Sequence, residues 1–305
     1  VASASEAWRG ELRKLGLEQI ITARMPEFLH NPRAMKYATW CAASMVGLPY
    51  VVQELRTHSQ SAVAVDACFC TIIDILDDDV SGAWLLQHQR VEADVLNASD
   101  VSLLMDMVVQ SMLLHKEETM LQRRGCHCLA LMVRLKHLHL LPQELLCRII
   151  EVALSTIATT SPGSVRDSSY CLRQMLEAQV CRGEEAQKEE QVRTALKLEL
   201  HRQGAVALLH QQMDYFLELE DAYRHSEIFE EIAACLFALN GPLAALSAWD
   251  HYLLVSLVDV DGRVFVRGAG MKAIFEMGRA EASTLQPVAG QILAAVQSFL
   301  ADDPE

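Results

Sequence analysis

Apolar side chains recur along this chain at helical rather than strand spacing. Between Gln143 and Thr159, the residues Leu145, Leu146, Ile149, Ile150, Ala153, Leu154 and Ile157 form one wide apolar face. That is the i, i+3, i+4 pattern of a helix with one side in a core. Most other segments read the same way. The punctuation agrees, because Asn31-Pro32, Ser161-Pro162 and Gly241-Pro242 each put proline where a helix can begin. Asn240-Gly241 can end the preceding helix. One stretch disputes this pattern. Val255 to Gly268, "VSLVDVDGRVFVRG", alternates and carries Asp261-Gly262, a hairpin signal. It is read here as a turn between helices, because a repeating helical register continues through Val264 to Met277.

That register comes from six segments that align without gaps. They are "YATWCAASMV" from Tyr37, "VDACFCTIID" from Val65, "QRRGCHCLAL" from Gln122, "VRDSSYCLRQ" from Val165, "FEEIAACLFA" from Phe229 and "RGAGMKAIFE" from Arg267. One column then holds Cys41, Cys70, Cys128, Cys171, Cys235 and Ala273, so it takes five of the nine cysteines. Three residues before it lie Ala38, Ala67, Gly125, Ser168, Ile232 and Gly270, mostly small as well. Small residues at a fixed place suit helices that approach closely, and a reduced cysteine behaves as a small hydrophobe. The metal reading of Cys126-His127-Cys128, and of the matching Cys68 and Cys70, is weaker. Zinc needs four converging ligands, whereas residues two apart on a helix point about 200° apart. His137 and His139 have the same spacing and read as boundary histidines.

Composition narrows the function. Half of the chain is apolar, with only 14 Gly and 8 Pro, which favours packed helices over disorder. The net charge of -14 argues against nucleic acid as a partner. An odd number of cysteines with no sign of a disulfide framework points to reduced thiols and a cytoplasmic location. Charges interrupt every apolar run before it reaches membrane-spanning length. The chain begins at Val1 rather than Met, and is expected to be a fragment of a longer protein. The acidic stretch "RGEEAQKEEQ", Arg182 to Gln191, reads as an exposed helix or loop. Gln286 to Leu300 reads as an apolar closing helix. Its portion from Pro287 is a candidate homodimer contact.

Catalytic signatures are scarce. Phosphate-binding, nucleophile-elbow and zinc-protease motifs are absent. The strongest enzyme-like feature is the acidic cluster Asp74 to Asp79, "DILDDD", in which Asp74, Asp77 and Asp78 share one side of a helix. Such a cluster would serve an all-α, magnesium-dependent diphosphate enzyme, the alternative function carried forward. Arg123, Arg124, Arg134 and Lys136 form a basic patch, and Glu227, Glu230 and Glu231 an acidic one. Two patches of opposite sign would orient a bound partner.

The repeats resemble the armadillo/HEAT superfamily of α-solenoids. The resemblance rests on the small residue followed by an aliphatic one: Cys128-Leu129, Cys171-Leu172, Cys235-Leu236 and Ala273-Ile274. It implies an all-α, right-handed superhelix of stacked two- and three-helix repeats, with residues 1–305 as a single armadillo-like repeat domain. It also implies a non-catalytic scaffold that binds a partner protein or peptide on its concave surface, without cofactor or metal. In peptide-binding armadillo proteins a Trp precedes the small position, and an Asn follows that Trp by four residues. Those columns map here to Trp40, Phe69, His127, Tyr170, Ala234 and Lys272, and to Ser44, Ile73, Leu131, Gln174, Ala238 and Glu276. Aromatics are partly kept and the Asn ladder is missing, which tells against capture of basic peptides. The expected partner-binding residues are Trp40, Ser44, His127, Tyr170, Gln174, Arg123, Arg124, Lys272 and Glu276. For Phe69, one turn before Ile73, a core position is favoured. A purely structural or oligomerisation arm is the third reading.

Overall fold

The computed structural model describes residues 10–76 apart from Arg13, 98–135, 138–177, 183–217, and 227–239 apart from Glu230 and Phe237. Among these residues every regular element is helical and no strand occurs. The fold class is therefore all-α. The elements are α1 (Leu17–Phe28), α2 (Pro32–Val46), α3 (Leu48–Thr57), α4 (Ala62–Leu76), α5 (Ala98–Leu114), α6 (Thr119–Leu135), α7 (Gln143–Ile157), α8 (Pro162–Leu176), α9 (Glu184–Arg202) and α10 (Ala205–Leu217). A short 3-10 turn covers Leu138–Leu140, and residues 227–239 are helical where described.

Local sequence explains where these helices start. Asn31 caps α2 by accepting a hydrogen bond from the Ala34 N–H at 3.0 Å, with Pro32 at the first helical position. Pro162 likewise opens α8, although Ser161 before it makes no side-chain cap bond. Gly47 both ends α2, its N–H donating to the Ala43 carbonyl at 2.7 Å, and begins α3. Its φ of 88° is a conformation that a side chain would oppose. The apolar face expected in Gln143 to Thr159 is buried along α7, from Leu145 through Ile157.

The chain falls into two compact units. The first comprises Val1–Thr156 with Gln179–Val192, the second Ile157–Ala178 with Arg193–Glu305. In the first unit α2 packs on α4 and α4 on α6, while α3 lies against α2, α4 and α5. Helix α5 also packs on α6, and α1 on α2. Met25, Met35, Ala64 and Ala67 join α1, α2 and α4 in one apolar cluster. Phe69, Ile72, Met105, Met112 and Leu129 are fully buried in the same unit. In the second unit Val165, Cys171, Leu172 and Met175 of α8 are buried, as are Leu209 and Phe216 of α10 and Phe229, Ile232 and Cys235 beyond it.

The acidic stretch, where described, is the exposed helix that was expected, except at one residue. From Glu184 it is part of α9, and Glu189 is fully buried. Its carboxylate accepts the Leu138 N–H at 3.0 Å, the His139 N–H at 3.1 Å, and lies 2.8 Å from His139 Nδ1. The short turn Leu138–Leu140 supplies donors that a buried carboxylate needs. His139 is thus a specific partner rather than a plain boundary residue. The stretches Asp77 to Asp79, Val255 to Gly268 and Gln286 to Leu300 lie outside the described residues.

Candidate partner-binding face

The face is built on α2, α4 and α6 of the first unit. Its helices meet in the register that the cysteine column implied. Cys128 Sγ of α6 lies 3.3 Å from the Phe69 carbonyl oxygen of α4. One turn earlier, Arg124 pairs with Asp66. The two contacts span 59 and 58 residues, so position advances together along both helices and they run in the same direction. The second unit repeats the direction but not the register, since its contacts fall short of the 64 residues from Cys171 to Cys235. Arg166 meets Glu227 across 61 residues and Arg173 meets Glu231 across 58, so α8 and the helix around Cys235 also run in parallel.

Small residues do allow the close approach. A Cβ placed on Gly125 would lie 2.5 Å from Met112 Sδ, so α5 and α6 touch where no side chain intervenes. Cys68, Cys70, Cys126, Cys128, Cys171 and Cys235 are buried and unbridged, and Cys41 and Cys147 are half-buried. Burial pushes the Cys128 thiol well up, helped by neighbouring Cys70, Cys126 and Cys68. Burial likewise pushes Cys235 up to about 12. Thiols held in this state are poor nucleophiles and poor metal ligands. Among the described residues no group of three His, Cys, Asp or Glu side chains is arranged to hold a metal ion.

The expected binding residues that are described are all half-buried. Trp40 on α2 and His127 on α6 are half-buried, whereas Phe69, their counterpart on α4, is fully buried. Phe69 is therefore a core residue, as favoured. Ser44 Oγ donates to the Trp40 carbonyl at 2.7 Å, a bond within its own helix. Arg124 is committed to Asp66. Burial pulls its guanidinium down, but Asp66 outweighs this and holds it above its ordinary value. Arg123 is half-buried beside it. Trp40, Ser44, Arg123, Arg124 and His127 all belong to the first unit.

Tyr170 and Gln174 belong to the second unit. The Arg173 guanidinium lies 5.2 Å from the centre of the Tyr170 ring, within cation–π range. Arg173 donates to both Glu231 oxygens, at 2.9 and 3.2 Å, and to Glu177 at 2.7 Å. Gln174 donates to Glu177 at 3.2 Å. Glu227 accepts from Arg166 at 2.5 Å. Of the acidic patch Glu227, Glu230 and Glu231, the first and last are paired with arginines, an outcome that spacing along the chain does not reveal, and Glu230 lies outside the described residues. Lys272 and Glu276 lie outside the described residues. Of the diphosphate-site candidates, Asp74 is half-buried near the end of α4, and Asp77 and Asp78 lie outside the described residues.

One polar group was not foreseen. Tyr50, Glu54 and His58 follow one another at single-turn spacing on α3. Glu54 and Tyr50 are only 2% and 3% exposed, and His58 Nε2 lies 3.7 Å from Glu54 Oε2. Burial pushes the Glu54 carboxyl up, opposed by His58 and by the Tyr50 hydroxyl. Neither Tyr50 OH nor Glu54 Oε2 makes a hydrogen bond of good geometry. The i, i+4 spacing of these residues was the only available signal, and it is common on helices.

No helix among the described residues is long and apolar enough to cross a membrane. Compared with protein-family models, curated proteins and solved structures, the chain matches none.

Proposed function

We propose that the chain is a non-catalytic interaction scaffold, an armadillo/HEAT-like α-solenoid that binds a partner protein or peptide on its concave surface in the cytoplasm. The carrying observation is the same-direction, same-register packing of α4 and α6, with Asp66 opposite Arg124. Stacked repeats bring equivalent helices together in this way, and each repeat touches only its neighbours. The long surface that results suits recognition rather than chemistry. Trp40 and His127 are the anchors of the reading, since amphipathic rings on rigid helices are frequent hot spots. Arg124 serves the framework instead of the partner.

The test is affinity capture by the intact chain, followed by the same capture with Trp40→Ala and His127→Ala and with a control at exposed Leu198. A partner that the two variants lose, and the control keeps, supports the reading provided that the melting temperature holds. Equal capture by all variants would sink it.

A further inference from the structure

The outward side of α2 carries cations and aromatic rings but no carboxylate. Arg33, Lys36, Tyr37 and Trp40 follow the i, i+3, i+4, i+7 line of one helix face. Met35, Thr39 and Ala42, on the opposite side, are buried. Arg33, Lys36 and Tyr37 are exposed and Trp40 is half-buried. The Arg33 guanidinium lies 5.9 Å from the centre of the Tyr37 ring, within cation–π range. No ion pair among the described residues uses Arg33 or Lys36. No Asp or Glu occurs between Glu27 and Glu54, although the whole chain carries a net charge of -14. On the helices packed against α2, Glu27 of α1 pairs with Arg24 at 2.8 Å, Asp66 of α4 pairs with Arg124, and Glu54 of α3 is buried.

We infer that the segment bound at this face is an acidic peptide, whose carboxylates pair with Arg33 and Lys36 while its apolar parts lie on Tyr37. The inference rests on the scaffold reading and adds the chemistry of the partner. Charge complementarity carries it. Arg33 stands in the first turn of α2, where the helix dipole disfavours a cation and no acidic residue offsets it. Lys36, one turn later, adds like-charge repulsion. The helix gains nothing from either cation, and a local rule broken without internal compensation points to function. The guanidinium of Arg33 can donate to both oxygens of a carboxylate, and the Tyr37 ring beside it restrains its orientation. A nucleic acid presents phosphates along its whole length, which the net charge of -14 repels. A short peptide places its few charges at this face alone.

The probe is a displayed library of random dodecapeptides, selected on the intact chain and counter-selected on the double variant Arg33→Glu, Lys36→Glu. The recovered peptides are expected to be acidic. The strongest, synthesised with a dye, should bind the double variant roughly tenfold more weakly in anisotropy titrations, and added salt should weaken it too. The neutral pair Arg33→Gln, Lys36→Gln should also lose binding. Arg56→Glu, which reverses an exposed cation on α3, should keep it. Thermal melting separates binding from stability: Arg33→Glu should hold or raise the melting temperature, because it relieves the clash with the dipole. A lowered melting temperature would make Arg33 part of the framework and overturn the inference. Recovery of neutral or basic peptides, or of none, overturns it as well. If such peptides are then lost by Trp40→Ala, the scaffold reading survives without the acidic partner. Tighter binding of a single-stranded oligonucleotide or of phosphatidylserine vesicles assigns the face to another anion and likewise overturns it.

Discussion

Arg124 and Asp66 pair across α6 and α4, and each stands four residues before its own helix's column cysteine, Cys128 or Cys70. Equivalent positions of the two aligned segments therefore meet each other. Both side chains are about 30% exposed, so solvent screens the pair only in part. Asp66 Oδ1 has no hydrogen-bond partner. Removing the arginine would strand a half-buried carboxylate. Arg124→Ala is expected to cost about 1–2 kcal/mol in urea denaturation. Adding Asp66→Ala should recover part of that loss, with a coupling of about 1 kcal/mol. Additive losses would place the stabilisation elsewhere.

Gly125 tests the closeness of α5 and α6. Glycine to alanine inside a helix ordinarily gains up to about 1 kcal/mol. Here the new Cβ would press on Sδ and Cγ of the fully buried Met112. Gly125→Ala is therefore expected to destabilise by about 1–3 kcal/mol. Met112→Ala in the same background should lessen the penalty. A stabilised Gly125→Ala variant would show that Met112 moves aside freely.

Thiol reactivity reports the packing role of the column. With Ellman's reagent on the folded chain, Cys41 and Cys147 are expected to react first among the eight described cysteines, because only these two are half-buried. Cys70, Cys128, Cys171 and Cys235 should react only with added denaturant. Rapid native reaction at Cys128, located by mass spectrometry, would contradict its burial against Phe69.

Two buried glutamates, Glu189 and Glu54, respond to pH with opposite signs. Burial pushes the Glu189 carboxyl up, but hydrogen bonds from His139 and Leu138 outweigh it and hold it below the ordinary 4.5. Its stabilisation is therefore present above pH 4.5 and lost as pH falls through the lower folded value. Glu189→Gln should cost about 2 kcal/mol at neutral pH and flatten the acid limb of the stability curve. Glu54 has its carboxyl raised above 4.5, so its contribution is present below that value and lost as pH rises through the folded one. Glu54→Gln should accordingly gain on the unaltered chain between pH 4.5 and neutrality. Urea midpoints across that range check both signs, and parallel pH curves would refute them.

Helices were legible in this sequence because periodicity and punctuation agree, as at Leu145 to Ile157 and at Asn31-Pro32. The cysteine column was legible because packing between like helices demands the same small residue at the same place. What escaped were pairings set by the third dimension. Arg124 read as part of a basic patch because Asp66 stands 58 residues away. Glu189 read as solvated because its donors, Leu138 and His139, lie about 50 residues earlier. Charged residues signal exposure by default, and nothing in a local window tells a buried, satisfied carboxylate from a wet one.

The common direction of α4 and α6 restricts how this chain can change length. A helical hairpin inserted between them restores the original heading, and Arg124 still arrives opposite Asp66. A lone extra helix delivers α6 end for end, with Arg124 at the far side of Cys128 and the carboxylate stranded. Tolerated insertions here are expected to come in antiparallel pairs, a counting rule imposed by geometry before selection acts.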